Sequence, residues 1–285
     1  MPATDRRFCV VTPNFNMGRY LPETIDSVLA NLRPGDEYHV IDGGSTDNSL
    51  DVLRSYGDRL TGWISEPDRS YADAVAKGFR RSTNELQCWI ACGDLMLKGA
   101  LDNARELIAL ENADMIFGDD LYVDEECRII QVTDGSAPNL PVMMIHGAWT
   151  PLQDACFWRR DLYERVGGID PAVRHAADYD LFLRMGVAGR CRYTPHVFSA
   201  FRRHPGQTSQ QHELRYKQEK LACREKLLKS GAAPKPPSLP ARAFYWVYPR
   251  LRSRFMNTKK VPAGLIGSHA LAHASAATAR FGGGR

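Results

Sequence analysis

Short apolar runs alternate with amphipathic stretches through the first third of the chain, and a turn rich in Gly, Asn or Asp closes each run. That alternation constrains the fold more than any other feature, because it is the pattern of strand–helix units feeding a mostly parallel sheet. Phe8 to Thr12 reads as a buried strand, and Leu21 to Leu32 as a helix ended by Pro34-Gly35. Glu37 to Ile41, Leu60 to Ser65 and Leu86 to Ala91 read as further strands. Between them come the turn from Asp42 to Ser49, a helix through Leu50 and Leu53, and a helix from Tyr71 to Arg81. A helix over Gly99–Leu110 and a strand over Asp114–Phe117 follow, then a hairpin about Glu125-Glu126. The segment from Asp134 to Pro151 predicts a loop over the site. Asp161–Val166 and Asp178–Met185 predict helices, Arg192–Arg202 a last strand, and Leu214–Leu228 a charged helix.

In an open α/β sheet, ligands bind beyond the carboxyl ends of the strands. Those ends carry Thr12-Pro13-Asn14, Asp42, Glu66-Pro67-Asp68 and Asp94. Carboxylates and amides gathered on one rim suit a diphosphate held through a hard divalent cation, Mg²⁺ or Mn²⁺, whose remaining ligands are phosphate and water. No GxGxxG follows the first strand and no Walker loop is present, which points away from NAD and from ATP hydrolysis. Asp47 and Ser70 read as turn and cap residues.

Seven cysteines stand singly, without CxxC spacing, and read as buried reduced thiols. The amino terminus carries no secretory pattern, and Val261–Ala279, interrupted by Pro262 and two glycines, is a poor membrane span. A cytoplasmic location is the expectation. The net charge of +4 is unevenly spread: after Glu225 there are 11 basic residues and no acid, so an acidic body precedes a basic tail. Ala243 to Phe255 interleaves Phe, Tyr and Trp with arginines, a composition suited to an anionic membrane surface. The acidic body and the lack of an RNA-binding motif speak against nucleic acid as a partner.

Seven ordered motifs give the chain a resemblance. They are TPNFN (12–16), IDGGSTDNS (41–49), SEPDRSYADAVAKGF (65–79), CGDLMLKGAL (92–101), FWRRDLYERVGGID (157–170), ADYDLFLR (177–184) and FRRHPGQTS (201–209). From about Phe8 to about Ser209 the chain resembles the family 2 glycosyltransferases of the bacterial cell-surface polysaccharide type. The resemblance implies an α/β GT-A domain over residues 1–212, followed by a helical, basic extension over 213–285 with a Pro-rich linker near 229–240. It implies an inverting transfer of sugar from a nucleotide-diphosphate-sugar donor to a saccharide or lipid-linked acceptor at the inner face of the membrane.

Carried onto this sequence, the resemblance assigns Thr12, Asn14 and Asp42 to the nucleoside, and Asp68 and Asp73 to the donor pocket. It assigns Asp94 to donor and metal, with His204 and Ser209 in the stretch that closes on the diphosphate and metal. Asp178 falls on the catalytic base and Gln153 on the acceptor side. One position departs. The family often has Ser-Asp-Asp where this chain has Cys92-Gly93-Asp94, so one carboxylate is missing. Two other readings stay open: a non-catalytic sugar-nucleotide-binding subunit recruited to a membrane, and a nucleotidyltransferase that makes the sugar nucleotide.

Overall fold

A computed structural model describes residues 5–133, 135, 139–145, 150–205, 207, 212–233 and 269–270. Most of the basic tail, including 234–268 and 271–285, lies outside the described residues, as does Ser209. The strands are β1 (Phe8–Asn14), β2 (Glu37–Asp42), β3 (Gly62–Ser65), β4 (Leu86–Trp89), β5 (Leu95–Met96), β6 (Met115–Val123), β7 (Ile129–Thr133), β8 (Cys156–Arg159) and β9 (Cys191–Arg202). The helices are α1 (Leu21–Leu29), α2 (Ser49–Tyr56), α3 (Tyr71–Phe79), α4 (Ala100–Leu110), α5 (Leu140–Ile145), α6 (Arg160–Arg165), α7 (Ala177–Ala188) and α8 (Glu213–Lys229).

All nine strands form one sheet in the order β3-β2-β1-β4-β8-β6-β9-β5, with β7 added on β6. The half built from β3, β2, β1 and β4 is parallel throughout. The other half is mixed: β8 runs antiparallel to β4 and β6, while β6 and β9 are parallel. β1 sits between β2 and β4, the point at which the strand order reverses and a crevice opens at the carboxyl ends.

Register then decides which side chains meet. Asn14 of β1 lies opposite Asp42 of β2, and Asp42 opposite Ser65 of β3, so three polar residues share one row at the rim. Below that row the strands are apolar and buried, with Phe8, Cys9, Val10 and Val11 fully inside. One apolar cluster fills the α1, α2 and α4 side of the sheet, and a second, around Trp89, Trp158 and Phe182, fills the α3 and α7 side. Trp89 and Phe182 stack with centroids 5.7 Å apart, and Trp89 meets Trp158 edge-on at 5.3 Å.

Three elements differ from the sequence reading. The predicted strand 114–117 and the first arm of the hairpin are one strand, β6, which passes through Asp119 and Asp120. β8 occupies the residues just before the predicted helix at 161 and joins the two halves of the sheet. Within the expected loop 134–151, α5 forms because Leu140, Met143 and Met144 are buried, packed beside α7. All seven cysteines are free thiols, and no described helix is long and apolar enough to cross a membrane.

Candidate active site

The first group of site residues lies at the ends of β1, β2 and β3. The Asp42 carboxylate accepts from Asn14 Nδ2 (2.6 Å), the Ser45 hydroxyl and amide, the Gly44 amide (3.2 Å) and the Ser65 hydroxyl. Burial works to raise its pKa, but the donors from Ser45, Ser65 and Asn14 outweigh burial and hold the carboxyl below its ordinary value. Asp42 is therefore a fixed anion that shapes the Gly43-Gly44 turn. Thr12 lies beneath it, fully buried, with its hydroxyl 2.9 Å from that of Tyr38. Phe15, one residue beyond Asn14, is 62% exposed at the same rim. Sequence reasoning passed over it because an aromatic beside an apolar strand looks like core.

Asp68 comes to this turn from β3: a side chain on Gly43 would meet its Oδ2 at 3.3 Å. Its Oδ1 takes a short hydrogen bond from Lys77 Nζ (2.5 Å), which offsets the effect of burial only in part, so the Asp68 carboxyl stays above its ordinary value. Asp73 sits in the first turn of α3. It is held below its ordinary value chiefly by hydrogen bonds from Arg69, against burial. Ser70 is the N-cap of that helix, and Asp47 accepts the Gly18 and Ser49 amides as a turn residue. Thr12, Asn14, Asp42, Asp68 and Asp73 thus share one end of the parallel half-sheet.

The second group surrounds Asp94. The turn Cys92-Gly93-Asp94 is fastened on two sides. Thr24 of α1 donates to the Asp94 carbonyl (2.9 Å) and accepts from the Gly93 amide (3.0 Å). Arg202 of β9 gives its amide to Asp94 Oδ1 (2.9 Å) and its Nε to the Gly93 carbonyl (2.8 Å). Gly93 has φ +106°, a backbone conformation that penalises any residue with a β-carbon. The missing family carboxylate thus coincides with a turn built for glycine.

Asp94 is 6% exposed and does not stand alone. Asp120 of β6 and Asp154, in a short 3-10 turn over Gln153–Ala155, are buried with it, and Ser199 of β9 donates to Asp120 Oδ1 (3.1 Å). One oxygen of Asp120 and one of Asp154 are buried without a hydrogen-bond partner. Burial first, and then mutual repulsion, raise the pKa values of Asp94 and Asp120 well above the carboxylate range, and burial pushes Asp154 to about 6. Neither Asp120 nor Asp154 was singled out in the sequence. The signal was there: Asp120 stands inside the otherwise apolar run 115–123, and Asp154 directly precedes the apolar run 155–158.

The third group is at the start of α7. Asp178 lies in its first turn, half-buried, with Oδ1 3.4 Å from the Tyr71 hydroxyl; that hydroxyl accepts from the Asp178 amide at 3.1 Å. Burial raises the Asp178 pKa, while its own helix amides, the Lys220 ammonium and Tyr71 work to lower it. Asp180 turns away into an ion pair with Arg184 (2.6 Å). Both the Asp154 and the Asp178 charges bear on the buried Cys156 thiol, adding to the upward push of burial.

The remaining predicted residues are placed as follows. Gln153 donates to the Trp89 carbonyl (2.7 Å) at the end of β4, beside Asp154. His204 packs on Tyr20 with centroids 5.5 Å apart and lines an open cleft of about 640 Å³ with Asp124, Glu125, Glu126, Arg128, Arg203 and Pro205. Burial lowers the His204 pKa, with Glu125 and Arg202 as the charges that bear on it. No three described His, Cys, Asp or Glu side chains converge on a point that could hold a cation. Asp94 offers one hard oxygen, a donor that would suit a Mg²⁺ or Mn²⁺ ion taking most of its ligands from phosphate and water, and would not suit a cage made by protein alone.

Carboxylates ranged beyond the parallel strands of a nine-stranded mixed sheet define a GT-A transferase fold. Two solved structures share it. TarS from S. aureus, residues 1–349 in complex with UDP, matches at a TM-score of 0.58 with 16% identity, over 70% of this chain and 61% of that one. The mannosyltransferase PcManGT from Pyrobaculum calidifontis, in complex with GDP-Man and Mn²⁺, matches at 0.60 with 20% identity, over 100% of this chain and 79% of that one.

Residues 9–131 match the profile of glycosyl transferase family 2. Among curated relatives, an uncharacterized glycosyltransferase of Nostoc sp. is 27% identical over 58% of this chain and 54% of its own length. One of Rickettsia typhi is 23% identical over 70% and 65%. A PGL/p-HBAD biosynthesis glycosyltransferase of Mycobacterium bovis is 24% identical over 62% and 68%. The match therefore spans between half and two thirds of the length of the first two relatives.

Proposed function

We propose that the chain transfers a sugar, with inversion, from a nucleotide-diphosphate-sugar donor to a hydroxyl of a saccharide or lipid-linked acceptor. The observation that carries this reading is Asp178, a half-buried carboxylate in the first turn of α7, hydrogen-bonded to Tyr71. A hydroxyl is a weak nucleophile, so a carboxylate within hydrogen-bond reach must take its proton as the oxygen attacks the anomeric carbon. The bond to the diphosphate breaks on the opposite face of the sugar, and the nucleoside diphosphate leaves. Burial raises the Asp178 pKa, the direction that makes a carboxylate a better base, while its own helix amides, Lys220 and Tyr71 work to lower it.

The rim formed by Asn14, Asp42 and Asp68 suits the nucleoside, with exposed Phe15 as a surface on which a base can stack. Asp94, with His204 on the closing segment, would hold a Mg²⁺ or Mn²⁺ ion. Such an ion, when bound, supplies positive charge against the leaving diphosphate. The named relatives support the donor class: TarS was solved with UDP and with UDP-GlcNAc, and PcManGT with GDP-Man and Mn²⁺.

The basic stretch after Glu225 fits contact with an anionic membrane surface on the cytoplasmic side, and with it a place in cell-surface polysaccharide assembly. Thermal-shift measurements with UDP-GlcNAc and GDP-mannose, each with and without Mn²⁺, test the donor class. Stabilisation by one sugar nucleotide, enhanced by Mn²⁺, is expected; none by either donor would contradict it. Flotation with anionic vesicles, lost on removing 241–285, tests the membrane contact.

A further inference from the structure

The helix that starts the carboxyl-terminal extension is tied to the one residue on which the proposed chemistry turns. α8 is a charged helix, and along its exposed face it pairs with itself: Lys217 with Glu213, and Lys229 with Glu225. Glu219 and Lys220 do otherwise. Glu219 Oε2 accepts the backbone amides of His175 (2.7 Å) and Ala176 (2.9 Å). These N–H groups stand just ahead of α7, a helix whose own N-cap, Ala176, has no side chain able to cap it. Asp178 follows two residues later. A carboxylate from α8 therefore does the capping that the local sequence leaves undone.

Lys220, the next residue, turns inward as well. Its Nζ donates to Thr150 Oγ1 at 2.9 Å, and the ammonium lies over the Tyr179 ring at 4.5 Å and the Tyr216 ring at 5.2 Å. The groups bearing on Asp178 come from four elements: Tyr71 of α3, Cys156 of β8, the first turn of α7, and Tyr216 and Lys220 of α8. Lys220 is the cation among them. Its own ammonium is opposed by burial and by neighbouring Arg224, and favoured by Asp178. A half-buried cation with two aromatic faces and one hydroxyl around it is placed at some cost, and the Asp178 charge works to offset it.

We propose that α8 is a working part of the active site, in which Glu219 fixes the backbone that carries Asp178 and Lys220, seated over the ring of the next residue, Tyr179, sets a positive charge beside that carboxylate. Both are positioning residues. The proposal rests on the reading of Asp178 as the base, and it makes the start of the extension part of the catalytic unit.

The test is a ¹³C carboxyl NMR titration of the full chain without ligand, with the Asp178 signal assigned by its loss in Asp178→Asn. Lys220→Met is expected to move the Asp178 titration upward by about one pH unit, and Lys220→Arg to return it close to the wild-type position. An unmoved titration in Lys220→Met, or a shift in Lys220→Arg as large as that in Lys220→Met, overturns the role of Lys220. A second measurement reads the cap: the His175 and Ala176 amides should exchange with solvent at least about tenfold faster in Glu219→Ala than in the unaltered protein. Equal exchange of these amides in both proteins overturns the cap. Nucleoside diphosphate release from UDP-GlcNAc and GDP-mannose by Asp178→Asn tests the base separately. Release at the wild-type rate would remove Asp178 as the base while leaving the carboxyl titration standing.

Discussion

Three carboxyl groups buried in one place should make this protein lose stability as pH rises, and replacing one of them should reverse the loss. Asp154 is the one to change. Burial lifts its pKa from 3.8 to about 6, and its hydrogen bonds to Ser199 and Asp120 only temper that rise. A folded-state pKa above the unfolded value means that the native state binds the proton more tightly. The contribution is complete below the unfolded pKa and is lost as pH climbs through the folded one. A shift of about two pH units corresponds to about 3 kcal/mol. Asp154→Asn keeps the shape and one acceptor oxygen, and its amide can donate to the unpartnered oxygen of Asp120, so the site stays polar while the charge is removed. The variant should gain about 3 kcal/mol relative to wild type between about pH 4 and about pH 7, or roughly 6–12 °C in melting temperature. His39 and His204, whose pKa values burial lowers, act in the opposite direction in both proteins, so the difference between the two isolates the carboxyl cluster, in which Asp154 also raises the pKa values of Asp94 and Asp120. Urea unfolding with a chelator present is the assay. A stability difference that does not change with pH would refute the reasoning.

Other outcomes follow from the same geometry. Arg202→Met should cost about 3 kcal/mol in urea unfolding, because Arg202 is 1% exposed and its loss leaves the Gly93 and Glu125 carbonyls without its donors. Gly93→Ala, at φ +106°, should cost about 1–3 kcal/mol by the same measurement, and Gly93→Asp should cost no less, so restoring the family's acid is not a gain. Tyr71→Phe removes a hydrogen bond that favours ionised Asp178. The acidic limb of the pH–rate profile for nucleoside diphosphate release should move upward by about half a pH unit, and an unmoved limb would contradict the contact.

Much of the parallel half-sheet was legible in the sequence, since each strand there is a short, largely apolar run that leads into a polar turn. Asn14, Asp42 and Asp68 could be gathered at one rim by strand order alone. The mixed half was harder. Asp119 and Asp120 look like a loop in any local reading, because acids are depleted from strands, yet β6 runs through them by pairing with β9 on one side and with β7 and β8 on the other. β8 has only four residues, abuts a helix, and becomes a strand through neighbours distant in sequence. The capping of α7 by Glu219 could not be read at all. Glu219 sits in a run of charges that any periodicity argument sends to solvent, and only the tertiary contact between α7 and α8 reveals its task.

The account stands or falls on Asp178. Asp178→Asn should bind its sugar nucleotide with unchanged thermal shift and lose at least about a hundredfold in nucleoside diphosphate release, the scale of a missing general base. Wild-type turnover in that variant, with binding intact, would mean that the base lies elsewhere.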